Sequence, residues 1–264
     1  MIRPIALAVM LLSPLPALAA SCETSMQRTV LESRAAGRTV RFTFPSPPGL
    51  AGPDRRETEY LEWVRANTRW DARQVLANHD RILREALTRA APGSAWRAQL
   101  ERSIRNNERI LSGAVGRFRA PSCLDQVAFR EFLQVVDLTR SSQEFMAYVF
   151  SKGMTTMIVA DFDNKPNDVV GVKPSARLVA ERLRLEQEGW NLAAHLHNHP
   201  FEFNSPHGDL GPIAPSAPDI GSYGNLDPAV AWITNGMEVF EIERAGYLQL
   251  ESDRSSTAPP ADLH

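Results

Sequence analysis

Cysteine is scarce in this chain. Two occur in 264 residues, Cys22 and Cys123, and they lie too far apart to form the closely spaced thiol pairs of a structural zinc motif. Net charge is nearly absent too. With 29 basic against 31 acidic residues the formal charge is −2, which provides no electrostatic footprint for nucleic acid. Long apolar runs are also missing. The run from Ile5 to Leu12 is far short of the ~20 residues that span a bilayer, so no transmembrane helix is expected.

What remains is an ordinary globular composition. The chain is 43% hydrophobic and 23% charged, enough for one full core with length left for a second, smaller unit. Residues 1–19 read as a cleavable export signal: a positive charge at Arg3, the apolar run, and the small residues Ala17-Leu18-Ala19 before a start near Ala20. Pro14 and Pro16 argue against a buried helix there. Export implies a secreted or periplasmic protein and one disulfide between Cys22 and Cys123. The alternative is a poor lipoprotein signal ending at Cys22.

Residues 20–120 form an expected N-terminal region. RTVRFTF, Arg38 to Phe44, alternates as a strand, and the Pro-rich stretch 45–54 is a linker. From Arg55 to Ala90 apolar residues recur at spacings of three and four, predicting an amphipathic helix. After the turn Ala91-Pro92-Gly93-Ser94, Trp96, Leu100, Ile104, Leu111 and Val115 mark a second. Together they make a helical hairpin. Its His79 and the tryptophans Trp63, Trp70 and Trp96 read as packing residues, and its arginines as a solvated face. The hairpin is assigned to packing, or to selection of a partner or substrate.

A boundary is expected after Ala120. Val127 to Leu138 fits either a strand or a short helix. Ser141 to Phe150 leads into a strand, Thr155 to Asp161 is its hairpin partner, and Pro174-Ser175 opens a helix facing the sheet with Leu178, Val179, Leu183 and Leu185. Trp190 to His197 is the next strand. Ala229 to Thr234, Met237 to Arg244 and Tyr247 to Glu251 complete the sheet, and 252–264 is a disordered tail.

The strand ending at Pro200 carries the chemistry. Side chains two apart on a strand share a face, so His195, His197 and His199 project together. Two imidazoles at this spacing converge on one metal, and Asp219 is the leading third ligand for a His, His, carboxylate site with one open position. Ser216-Ala217-Pro218-Asp219 is equally a helix-capping signature, and a histidine cluster is also compatible with a passive metal buffer or a solvated loop.

HNHP at 197–200, PSAPDI at 215–220 and QEFMAYVFSKG at 143–153 resemble the JAMM, or MPN-plus, metalloproteases, over roughly Leu124 to Glu251. The resemblance implies a cytidine-deaminase-like mixed sheet flanked by helices over 121–251, preceded here by the helical hairpin. It implies zinc held by His197, His199 and Asp219, with Glu144 as general base and Ser216 as a hydrogen-bond donor to the oxyanion. Hydrolysis of an amide in a peptide or protein substrate follows. His195 is then a supporting residue and not a ligand. Phe201 to Pro215 is longer than the family's loop and contains His207, whose role stays open. The alternatives are a non-catalytic metal-binding or protein-interaction module acting through the hairpin, and a nucleobase deaminase, which the chain lacks the cysteine pair to support.

Overall fold

The structure, a computed structural model, describes residues 26–35, 37–44, 55–67, 71–140, 143–163, 174–201, 211 and 213–255. The expected leader, Cys22, the linker 45–54, Trp70, His207 and the end of the tail lie outside these residues. The order along the chain is β1 (Gln27–Arg34), β2 (Gly37–Phe44), α1 (Arg55–Asn67), α2 (Ala72–Arg89), α3 (Ala95–Leu111), β3 (Arg117–Arg119), α4 (Cys123–Leu133), β4 (Met146–Lys152), β5 (Thr155–Asp163), α5 (Ala176–Gln187), β6 (Asn191–Asn198), α6 (Ala217–Leu226), β7 (Val230–Thr234), β8 (Val239–Glu243) and α7 (Arg244–Ser255).

The strands form one eight-stranded sheet in the order β1-β2-β5-β4-β6-β7-β8-β3. Neighbours are antiparallel except β6 and β7, which run parallel from Ala194↔Val230 to Asn198↔Thr234. The chain is therefore α/β, a mixed sheet flanked by helices. The alternation along each strand sorts side chains to the two faces. On one face Phe42, Ala147, Val149, Ile158 and Leu196 pack against Tyr60 and Val64 of α1 and Val127, Phe129 and Phe132 of α4. On the other, Tyr148, Phe150 and Val159 meet Leu178 and Leu185 of α5, while Ala231, Ile233, Phe240 and Ile242 meet α6 and α7 through Ile220, Tyr223, Tyr247 and Leu250. Leu76 of α2 and Ile110 near the end of α3 join this second cluster, so the helical hairpin packs over the same face as α6 and α7.

Local chemistry explains the boundaries. Asp71 caps α2 by accepting from the Gln74 amide at 2.8 Å while the Gln74 side chain accepts from the Asp71 amide at 3.0 Å, a reciprocal capping box. Ser94 and Ser175 cap α3 and α5 through single side-chain bonds. The turn between β7 and β8 closes over Asn235-Gly236. Gly236 has φ +86°, and a Cβ there would lie 2.5 Å from the Phe129 ring, so only glycine suits the position. The Tyr60 hydroxyl donates to the Asn235 carbonyl at 2.9 Å and ties this turn to α1.

Several expectations need correction. The boundary placed after Ala120 is not a boundary of the sheet: β2 pairs with β5 along its whole length and β3 pairs with β8, so strands from both sides share one core. The helix expected from Arg55 to Ala90 is two, α1 and α2. Of the two readings left open at Val127 the structure takes the helix, α4. Tyr247 to Glu251 is helical: Tyr247 and Leu250 are buried, three residues apart, while Leu248 between them is exposed, which is helical and not strand spacing. Helix α7 also takes in residues 252–255 of the expected tail. In α5, Leu178 and Leu185 are fully buried but Leu183 is 45% exposed. Trp96, read as core, is 53% exposed.

The facing of α5 gives a direct test. Leu178→Ala should cost about 2–5 kcal/mol through lost burial and a residual cavity, and Leu183→Ala should stay within about 0.5 kcal/mol of the parent, both read by denaturant unfolding. Equal costs would show that α5 sits in a different rotation about its axis.

Candidate metal centre

Strand β6 carries the ligand candidate His197, and His199 follows it. His195 and His197 share the face toward α5 and α6, opposite Tyr148 and Met146 in the register with β4. His199 follows β6, its amide donating to the Thr234 carbonyl at 2.9 Å, which extends the alignment one step beyond the strand. The rings step along one line: His195 to His197 centroids are 5.4 Å apart and His197 to His199 are 4.9 Å apart.

The third candidate comes from the parallel crossover. A parallel pair cannot be joined by a tight turn, so the chain leaves β6, returns through α6 and enters β7. This places the N-terminus of α6 at the carboxyl end of β6, where ligands bind in open α/β sheets. Ser216 is the N-cap: its amide and its hydroxyl both donate to Asp219 Oδ2, at 2.7 and 2.6 Å, and its Oγ accepts from the Asp219 amide at 3.3 Å. The capping role foreseen for SxxD is thus filled by the same carboxylate that faces the two histidines. Asp219 Oδ1 lies 3.4 Å from His197 Nε2, Oδ2 lies 3.5 Å from His199 Nε2, and the two Nε2 atoms are 3.2 Å apart.

These three side chains offer one ligand atom each, all within 4.8 Å of one another, and could hold a metal ion. Two imidazole nitrogens and a carboxylate oxygen converging on one point are a donor set that fits a divalent transition ion. Burial pushes the Asp219 carboxyl up, but His197 and His199 outweigh it and hold the group well below the usual carboxylate range.

Glu144 is not among the three. It lies two residues before β4, half-buried, and its placement comes from a residue the sequence reading passed over. Asn198, between the two ligand histidines, is fully buried. Its Oδ1 accepts from the Phe145 amide at 2.6 Å and its Nδ2 donates to the Gln143 carbonyl at 3.0 Å. The Asn198 amide therefore imitates the next step of the β4–β6 ladder and brackets Glu144 on both sides. Burial, reinforced by the charges of Asp219 and Glu144, pushes the Tyr223 phenol far above its ordinary value.

Tyr223 was also missed. It stands four residues after Asp219 on α6, the same helical face, and is fully buried. Its ring lies 5.4 Å from that of His195 and 6.2 Å from that of His197. His195 is 2% exposed and sits behind the ligands. Burial, reinforced by His197, lowers its pKa to about 3, so the ring is neutral. Neither nitrogen of His195 nor the Tyr223 hydroxyl has a hydrogen-bond partner among the described residues.

The loop from Phe201 to Pro215 is described only at its ends. Gly211 has φ +60°, and a Cβ there would stand 2.8 Å from the Pro200 carbonyl and 2.9 Å from that of His199. The loop therefore returns to lie directly on the backbone of the HNHP segment, in a contact that only glycine permits. His79 of α2, read as a packed or partly exposed structural residue, is half-buried and lines a cavity with His199 and Ser216.

Comparison with family models, with curated proteins and with solved structures finds no match to this chain.

Asn198→Ala should leave the Phe145 amide and the Gln143 carbonyl without their buried partners, at a cost of about 1–3 kcal/mol. Hydrogen exchange should show the Phe145 amide losing protection while the amides of β7 keep theirs. Unchanged exchange at Phe145 would sink the bracketing role.

Proposed function

We propose that this protein is an exported zinc metallopeptidase or isopeptidase of the JAMM type, hydrolysing an amide bond in a peptide or protein. The observation that carries the reading is the convergence of His197, His199 and Asp219 at the carboxyl end of β6, and the Asn198 bracket fixes the backbone on either side of Glu144. The HNHP segment lies at the end of a strand and the SxxD segment at a helix N-terminus. A mixed sheet with helices on both faces agrees with the cytidine-deaminase-like fold of that family.

His197, His199 and Asp219 would hold the zinc. When bound, zinc supplies Lewis-acid polarisation of the carbonyl and activation of water near neutral pH. Glu144 accepts the proton of the attacking water as its oxygen joins the carbonyl carbon. The same carboxyl then delivers that proton to the leaving nitrogen as the C–N bond breaks. Ser216 provides a hydroxyl to the developing oxyanion; it now donates to Asp219 Oδ2. His195 and Tyr223 wall the inner side of the site and exclude water from it.

Export is supported by Cys123, which is disulfide-bonded, as suits an oxidising compartment. The other cysteine of the sequence, Cys22, belongs to the segment outside the described residues. Among the described residues no helix is long and apolar enough to cross a membrane.

The test is metal analysis joined to hydrolysis of a mixture-based peptide library read by mass spectrometry. The mature chain should carry one zinc, lose it in His197→Ala and Asp219→Ala, and cleave library peptides. Glu144→Gln should keep the zinc and lower kcat by roughly 10²–10⁴-fold, the scale of general acid–base catalysis. Zinc bound with no cleavage, or full activity in Glu144→Gln, would favour a non-catalytic metal-binding module.

A further inference from the structure

A cavity of about 290 Å³ opens beside the metal centre. The centre supplies one wall through His199 and Ser216, and the helical hairpin supplies the other. Trp96, Gln99, Leu100, Ser103, Asn106 and Asn107 line it, and their spacing of three and four residues marks a single face of α3. The charged residues of that helix, Arg97, Glu101, Arg102, Arg105, Glu108 and Arg109, are all absent from the lining. Among the described residues no Lys, Arg, Asp or Glu lines the cavity. On a helix so rich in charge, an uncharged polar face turned toward a metal centre is a recognition surface, because packing alone would call for aliphatic residues there.

Asn107 is the second observation. It is 4% exposed, it lines the cavity, and its amide nitrogen has no acceptor among the described residues. A buried donor without an acceptor costs free energy, and a ligand carbonyl would supply the missing partner. Gln99 and Asn106 add further primary amides, each offering both a donor and an acceptor, the pattern that matches a peptide chain. Trp96, half in solvent at the rim, offers an apolar ring face to an uncharged side chain. The volume is at the lower end of the ~300–1,000 Å³ of ligand pockets, which suits a short segment and not a folded domain.

We propose that the α3 face of the hairpin is the substrate-recognition surface of the metal centre and that it holds a short, uncharged peptide segment next to the scissile amide. The peptide class rests on the hydrolase reading above. The surface selects by neutrality: a charged side chain entering this cavity would lose its hydration with no counter-charge to replace it.

Binding tests this without requiring turnover. Titrating the full isotope-labelled mature chain with N-acetyl-Ala-Ala-Ala-amide should shift the Trp96 indole and Asn107 side-chain resonances, and the corresponding tri-Glu and tri-Lys amides should leave them in place. Asn107→Asp should weaken the alanine peptide roughly tenfold, the scale of one buried hydrogen bond. Trp96→Ala, at an exposed position that the fold does not need, should weaken it too. Equal response to all three peptides, no response at millimolar concentration, or response only to a chito-oligosaccharide would overturn the proposal. The two readings fail separately. Peptide binding without cleavage sinks the hydrolase and keeps the surface, whereas cleavage that tolerates charge and ignores both variants sinks the surface alone.

Discussion

One parallel pairing governs the site. In a sheet that is otherwise antiparallel, β6 and β7 run the same way, and a parallel connection must leave the sheet and return over its face. That excursion is α6, which begins where β6 ends and carries Ser216, Asp219 and Tyr223 on successive turns. Had β7 followed β6 as a hairpin, the carboxylate would have no route to the histidines. The two ligand histidines owe their common face to strand alternation, and the third ligand owes its approach to the topology.

Burial then sets the chemical character of the surroundings. His195, His197 and Tyr223 form a layer closed to solvent on the inner side, with the neutral His195 ring between Tyr148 and the ligands. On the outer side His199 and Ser216 face the hairpin cavity. The centre is thus walled behind and accessible in front. The Arg119 guanidinium, which pairs with Asp125 and Glu241 and stacks over Trp232, braces the far edge of the sheet.

Much of this was legible in the sequence, and the failures have physical causes. The histidine alternation before Pro200, the capping signature at Ser216 and the hairpin helices are local patterns, and they sit where the local rules place them. The pairing of β2 with β5 is not local. A strand near residue 40 and another near residue 160 reveal nothing of each other until the chain closes, so the change of pattern after Ala120 read as a domain edge. Tyr247-Leu248-Gln249-Leu250 alternates convincingly for a strand over four residues, too short a window to separate a period of two from one of three and a half. Trp96 went astray because aromatic content was taken as core, although the uncharged run Gln99, Ser103, Asn106, Asn107 on the same face shows where it points. Glu144 rests on resemblance alone in the sequence, because what holds it is a side-chain amide fifty residues downstream imitating backbone.

The carboxylate of Asp219 divides its two oxygens between two tasks. Oδ2 is held by the amide and hydroxyl of Ser216, so its torsions are fixed when α6 forms, and Oδ1 is thereby aimed at His197. An ion arriving at this centre meets a carboxylate already oriented by the helix it caps. The entropy of ordering that ligand belongs to folding and not to coordination. Helix and candidate centre are in that sense one cooperative element: loosening the first turn of α6 would disorder the carboxylate without touching either histidine.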